Sequence, residues 1–356
     1  LITVNVFGLI ALNRFNLTPD TAYDWINPEH FKQKKTWNPV NLHAKWDSEW
    51  YLDIAENGYS FQGQGKLSNI VFFPLYPYLM RLVAFFLGGN FVLAGWLLSS
   101  LFLLLSLHYL FKITKEFHPN LNPFLPVLFL LTFPTAFFFN AVYTESLFLF
   151  LSLASIYYGL KKNYWKAGLI GFLASLTRVT GILLAIPVGW EYLKERDFQP
   201  KKVLEGKIAS LFLIPLGTFL FFCYHWLEFG NFLLFFKVES WWGRTFELNL
   251  NHLITTTNAA QANLILDLLF LTIALTATYF TFKKLRVSYG LYMIANLGII
   301  LSTGTLMSIG RYISVLFPIY LLLASTKREI KLSWGFASTL LLALNIILFV
   351  SNYWAG

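Results

Sequence analysis

Cysteine is all but absent from the chain. Cys223 is the only one and it sits inside an apolar run, which excludes an intramolecular disulfide and argues against a zinc–thiolate centre. Charge is scarce as well, at 13% of residues, about half the share of an ordinary soluble domain. There is no Gly-rich phosphate loop, no His/Cys set at metal-ligand spacing, and no Ser-His-Asp arrangement in a supporting context. Long internal repeats, low-complexity tracts and a soluble tail are also missing, and no cleavable signal peptide is recognisable. What is present is apolar and aromatic: 56% of residues are hydrophobic, the mean hydropathy is +0.57, and there are 37 Phe, 18 Tyr and 12 Trp. That composition belongs to an all-α polytopic membrane protein whose aromatic residues pack helices and mark the interfaces.

Apolar runs place spans near 91–111, 123–139, 145–160, 166–177, 182–193, 208–226, 262–282, 287–304, 311–325 and 332–350. Residues 1–12 read as the end of a further span that starts before Leu1, for roughly eleven in a single membrane domain covering 1–356. A first outer loop covers 13–90 and ends in a dipping helix, because Pro74, Pro77 and Arg81 interrupt its apolar run. A second outer loop covers 227–260. The connecting segments 112–122, 161–166, 191–207, 283–286 and 326–331 hold sixteen of the 27 Lys and Arg and six of the 18 acids. They carry +10, and the rest of the chain −1, so the net charge of +9 is a positive-inside signal rather than a nucleic-acid site. The two short runs 166–177 and 182–193 read as a broken pair that meets partway, holding Arg178 beside a cavity.

With that topology the outer face collects an uneven set of polar groups. The stretch KWDSEWYLDIAENGYSF (45–61) reads as a short amphipathic helix with Asp47 at its start, Asn57-Gly58 at its end, and Trp46, Trp50 and Ile54 on one stripe. Glu49 follows Asp47. Tyr143-Thr144-Glu145-Ser146 begins a span, as does Gly310-Arg311-Tyr312, and the second loop brings Lys237, Glu239, Arg244 and His252. Each has a plain structural reading as well. Asp47 fits an N-cap, Glu145 a helix-dipole partner, and Arg178 and Arg311 anchors that snorkel to the interface. Lys237, Glu239 and His252 read as solvated loop residues, and the Trp and Tyr residues of 46–51 as interface anchors or sugar platforms. The chemical reading is that a lipid-linked sugar phosphate lies with its head at this face. Arginines match the leaving phosphate oxygens and a carboxylate takes the proton of an acceptor hydroxyl.

Trp46-Asp47-x-Glu49, Ile54-Ala55-Glu56-x-Gly58-Tyr59 and Phe72-Phe73-Pro74-x-x-Pro77 resemble the first-loop signature of the GPI mannosyltransferase II (PIG-V) family. Tyr143-Thr144-Glu145-Ser146-Leu147-Phe148, Thr177-Arg178-x-x-Gly181 and Gly310-Arg311-Tyr312 before Pro318 resemble its later motifs, in the same order, over 46 to about 320. The resemblance implies a GT-C membrane glycosyltransferase taking mannose, or a similar hexose, from a polyprenyl- or dolichyl-phosphate carrier to a glycan or glycolipid acceptor, with inversion. It puts the base on Asp47 and the second outer acid on Glu145, binding acceptor or orienting donor. The phosphate contacts fall on Arg178 and Arg311, with Arg244 beside them, and Trp46, Glu49 and Tyr143 become acceptor or sugar contacts. No metal cofactor is required by this scheme, which leaves room for a divalent ion, and no nucleic acid takes part; the partners are the lipid-linked sugar, the acceptor and membrane lipids. The short loops favour a prokaryotic plasma membrane over an endoplasmic reticulum membrane. Two readings from other classes stay open: a flippase or transporter of lipid-linked saccharides, and a non-catalytic partner of another transferase.

Overall fold

The computed structural model describes residues 39–244 and 261–355. The apolar run 1–12, the first part of the outer loop and His252 lie outside the described residues. No strand occurs among the described residues, and the elements are α-helices with short 3-10 turns. In chain order the helices are α1 (Ser48–Asn57), α2 (Leu75–Phe86), α3 (Phe91–Phe117), α4 (Phe124–Leu131), α5 (Glu145–Leu160), α6 (Tyr164–Ser175) and α7 (Ala185–Glu195). After the short helix Pro200–Val203 come α8 (Ala209–Phe229), α9 (Leu234–Trp241), α10 (Gln261–Lys284), α11 (Val287–Ser302), α12 (Ile309–Ser314), α13 (Pro318–Ala324) and α14 (Arg328–Val350). Among the described residues, four stretches are long and apolar enough to cross a membrane, Phe91–Phe117, Gly206–Phe229, Leu264–Lys284 and Arg328–Val350; shorter apolar helices accompany them. The chain is an integral membrane protein.

Two expected spans are each divided, and proline gives the reason. The run 123–139 becomes α4 and, beyond Pro134, a 3-10 turn Ala136–Asn140; the run 311–325 becomes α12 and α13, with Pro318 opening the second. A proline has no N–H to continue the preceding helix but is favoured in a first turn. The pair around Arg178 breaks where expected. Helix α6 ends at Ser175, and a 3-10 turn Val179–Leu184 then leads into α7. A methyl group on Gly181 would lie 2.4 Å from the carbonyl of Ala174, so only glycine lets the turn fold back onto the end of α6. The run interrupted by Pro74, Pro77 and Arg81 forms α2, an apolar helix of 12 residues that begins after Pro74 and is shorter than the four stretches above.

In the centre, α5 packs between α3 and α6, and α6 packs on α8. Gly168 makes the last contact close, since a Cβ there would sit 2.0 Å from the Ser210 carbonyl oxygen. Small residues let backbones approach where no hydrophobic effect drives helices together. Basic residues and their partners gather at one end of this bundle: Lys161–Glu116 at 2.8 Å, Arg196–Glu205 at 3.1 Å and Arg286–Glu191 at 3.7 Å. Glu145 opens α5 and Lys161 follows its last residue. The length of that helix, about 24 Å at 1.5 Å per residue, therefore separates the basic end from the end described next.

Candidate active site

Helix α1 places Asp47. Its buried face is Ser48, Tyr51, Ile54 and Ala55. The stripe expected to join Trp46, Trp50 and Ile54 is thus rotated: Trp50 turns toward a cavity, stacked on Phe72 (6.0 Å, 12°) and edge-on to Trp242 (5.4 Å). Trp46 precedes the helix with φ +55°, outside the helical stripe. The far end of α1 is fixed by Arg81 of α2, whose Nε donates to the Ala55 carbonyl (2.6 Å) and Nη2 to that of Ile54 (3.0 Å). A guanidinium there satisfies carbonyls the helix leaves open and meets the negative end of its dipole. Gly58, at φ +90°, then takes the chain out of the helix.

Asp47 sits at the N-cap position, yet its side chain caps nothing. Instead its Oδ2 accepts from Arg311 Nη1 at 2.6 Å. Arg311 Nε donates to Glu145 Oε1 at 2.6 Å, and the same oxygen accepts from Arg178 Nη1 at 2.7 Å. Four groups from the first loop, the start of α5, the α6–α7 break and α12 thus form one chain, Asp47–Arg311–Glu145–Arg178. The plain readings of Glu145 as a dipole partner and of the two arginines as snorkelling anchors do not account for these contacts. Such a network is strong only when every member is satisfied, because unpaired charge at this depth is costly. Only one N–H of Arg178 and two of Arg311 are committed to carboxylates, out of the five that each guanidinium offers. Ser308, at φ +70°, leads into α12 just as Trp46 leads into Asp47, so both sides of the Asp47–Arg311 pair follow a left-handed residue.

A cavity of about 1220 Å³ opens beside this chain. Asp47, Arg178, Arg244 and Arg311 all line it, as do Trp46 and Glu49. Two expected contacts do not. Tyr143 is fully buried; its hydroxyl accepts from the Asp47 backbone N–H (3.1 Å) and donates to the Lys45 carbonyl (2.9 Å). Its hydroxyl thus ties the backbone on either side of Trp46, next to Asp47, to the start of α5. Glu145 is also fully buried and outside the lining, and its Oε1 meets both Arg311 and Arg178. Glu49 is half-buried, and burial pushes its carboxyl up to about 7, with the Lys45 ammonium opposing.

Glu239 is the residue that sequence reasoning misplaced. Expected in a solvated loop, it is 9% exposed, lines the cavity and pairs with Arg244 Nε at 3.2 Å. The buried residues of α9 are Leu234, Phe235, Val238 and Glu239. An acid on the apolar face, with an arginine five residues later, was the available signal. Lys237, on the other face, is exposed as expected.

The family profile described as Mannosyltransferase (PIG-V) matches residues 10–229, more than half of the chain. The chain belongs to this family. Among curated proteins it is similar to GPI mannosyltransferase 2 of Schizosaccharomyces pombe, 28% identical over 149 residues, covering 41% of this chain and 31% of that protein. GPI mannosyltransferase 2 of Drosophila melanogaster is 32% identical over 122 residues, covering 30% of this chain and 25% of that protein. The chain thus aligns with about a third or less of the length of these relatives. No solved structure matches. Asp47, Glu145 and Arg178 fall inside the span matched to the PIG-V family, whereas Glu239, Arg244 and Arg311 lie beyond it and join the site through the geometry above.

Proposed function

We propose that the protein is an inverting mannosyltransferase that takes its sugar from a polyprenyl- or dolichyl-phosphate carrier and delivers it to a glycan or glycolipid hydroxyl at the non-cytoplasmic face. One observation carries this reading: the carboxylate of Asp47 and the guanidinium groups of Arg178, Arg244 and Arg311 line the same cavity. Its volume, about 1220 Å³, exceeds the roughly 300–1,000 Å³ of a site for one small ligand, which suits a donor head and an acceptor held together. Val179, Ile299, Ile300 and Val315 supply an apolar wall for the first part of the carrier's chain.

In this scheme the acceptor hydroxyl attacks the anomeric carbon from the face opposite the phosphate. The new C–O bond forms as the bond from that carbon to the phosphate oxygen breaks, and the lipid phosphate leaves with the electron pair. Asp47 takes the hydroxyl proton. Its Oδ2 is held by Arg311, and its Oδ1 has no partner among the described residues. The uncommitted N–H groups of Arg178 and Arg311 meet the charge that grows on the phosphate, and fixed donors of this kind are the usual source of transition-state stabilisation. The cations are the protein's own, so the chemistry calls for no metal.

The test is transfer of label from polyprenyl-phosphate-[³H]mannose by purified protein, with host lipids and glycans as acceptors. Asp47→Asn is expected to lower the rate by about 10²–10⁴-fold, the usual worth of a general base, and a chelator to leave the wild-type rate unchanged. Equal rates for wild type and Asp47→Asn would overturn the base assignment; loss in chelator restored by a divalent ion would overturn the metal-free scheme.

A further inference from the structure

Tyr312 occupies the centre of the cation set. The guanidinium carbons of Arg178, Arg244 and Arg311 lie 5.3, 5.4 and 5.6 Å from the centroid of its ring. Those three arginines come from the α6–α7 break, the segment after α9 and α12, and no other aromatic ring among the described residues is approached by all three. The ring's negative face makes their convergence tolerable, since cations over an aromatic face are attracted to it. The phenol oxygen accepts a hydrogen bond from Arg244 Nη2. Arg244 is itself held from the other side by Glu239, so the donor that reaches Tyr312 is fixed rather than free to swing.

From this geometry we infer that the Tyr312 hydroxyl is a further ligand of the donor phosphate, one that gives its proton in a hydrogen bond to a phosphate oxygen. The inference rests on the proposed lipid-phosphate donor. Tyr312 lines the cavity, and its hydroxyl proton has no acceptor among the described residues. A phenol that accepts from a guanidinium must aim its own proton elsewhere, and the bond it accepts strengthens the bond it donates. Charge balance points the same way. The guanidinium groups of Arg178, Arg244 and Arg311 are already matched by the carboxylates of Asp47, Glu145 and Glu239. A neutral donor then adds grip on an arriving anion without leaving a surplus cation when the site is empty.

The experiment compares the binding of polyprenyl phosphate and of the uncharged polyprenol to the full chain in nanodiscs, for wild type and Tyr312→Phe. Phenylalanine keeps the ring among the arginines and removes only the hydroxyl. Wild type is expected to prefer the phosphate, and Tyr312→Phe to weaken phosphate binding about 10- to 100-fold, the worth of one hydrogen bond to a charged group. Polyprenol affinity stays unchanged, and the melting temperature falls only by the small amount that the lost hydrogen bond from Arg244 accounts for. If Tyr312→Phe binds the phosphate as wild type does, the inference falls and the proposed donor stands. If Tyr312→Phe loses both ligands together with melting temperature, the hydroxyl is structural and the inference falls. If wild type does not distinguish phosphate from alcohol, the proposed donor itself falls, and the inference with it.

Discussion

Glu145 and Asp47 share one arginine but stand in different surroundings, and their substitutions should separate accordingly. The Glu145 side chain is wholly buried between Arg311 and Arg178, whose side chains are only 6% and 13% exposed, while that of Asp47 is 22% exposed at the cavity. Glu145→Gln leaves two guanidinium groups in a dry place with one counter-charge between them. Breaking a buried pair in this way costs about 3–5 kcal/mol. Asp47→Asn leaves Arg311 paired with Glu145 and costs about 1–3 kcal/mol, the value of a charged hydrogen bond. Both variants are expected to lose transfer, but thermal melting in detergent should fall much further for Glu145→Gln; equal melting of the two would refute the division of roles. Glu49 offers a pH signature. Burial raises its native carboxyl to about 7 from the usual 4.5. Between those values the native state binds more protons than the unfolded state, so this group makes stability fall as pH rises from about 4.5 to about 7, with no further change above. Glu49→Gln is expected to flatten that part of the melting-temperature profile; an unchanged slope would remove Glu49 as its source.

Among the elements, the α6–α7 break does the most to position the site, and Gly181 is its most exposed dependency. Gly181→Ala would drive a methyl group into the Ala174 carbonyl at 2.4 Å. Overpacking of that kind costs about 1–3 kcal/mol, and any shift of the turn displaces Arg178, which opens it. The expectation is a modest drop in melting temperature with a disproportionate loss of transfer; full activity would show that Arg178 does not depend on the turn. This break was legible in the sequence because two runs too short to cross a membrane flank a lone arginine and a glycine. Asp47, Glu145 and Arg311 were legible for a related reason: in so apolar a chain, charge at a helix start needs a partner. Their mutual contacts were not, because pairing across 264 residues, as for Asp47 and Arg311, leaves no trace in local periodicity. The rotation of α1 also escaped, since Trp50 and Tyr51 are both apolar enough for the core, and only packing decides which one goes inside. Nor did hydropathy show that Tyr143 serves as a post under Asp47. Its hydroxyl bonds to backbone groups 96 and 98 residues away.

At the scale of the whole molecule, the charge pattern and the site make a joint statement about sidedness. The segments holding Lys161, Arg196 and Arg286 gather at one end, where these residues find their acidic partners. The Asp47–Arg311–Glu145–Arg178 chain lies at the other end of α5. If the positive-inside rule holds, the cavity faces away from the cytoplasm, where a lipid-linked sugar is a suitable donor and a nucleotide sugar is not. Single cysteines test this directly once Cys223, half-buried in α8, is replaced by serine. Gln64 is exposed in the loop after α1, on the cavity end, and Lys201 is exposed in the basic segment after α7. In intact cells or sealed vesicles of known orientation, a membrane-impermeant maleimide should label Gln64→Cys from the outer side, and Lys201→Cys only after permeabilisation. The reverse pattern would place the arginine-lined cavity in the cytoplasm and remove the argument against a nucleotide-sugar donor. Labelling of both from one side would break the assignment of the two ends to opposite faces.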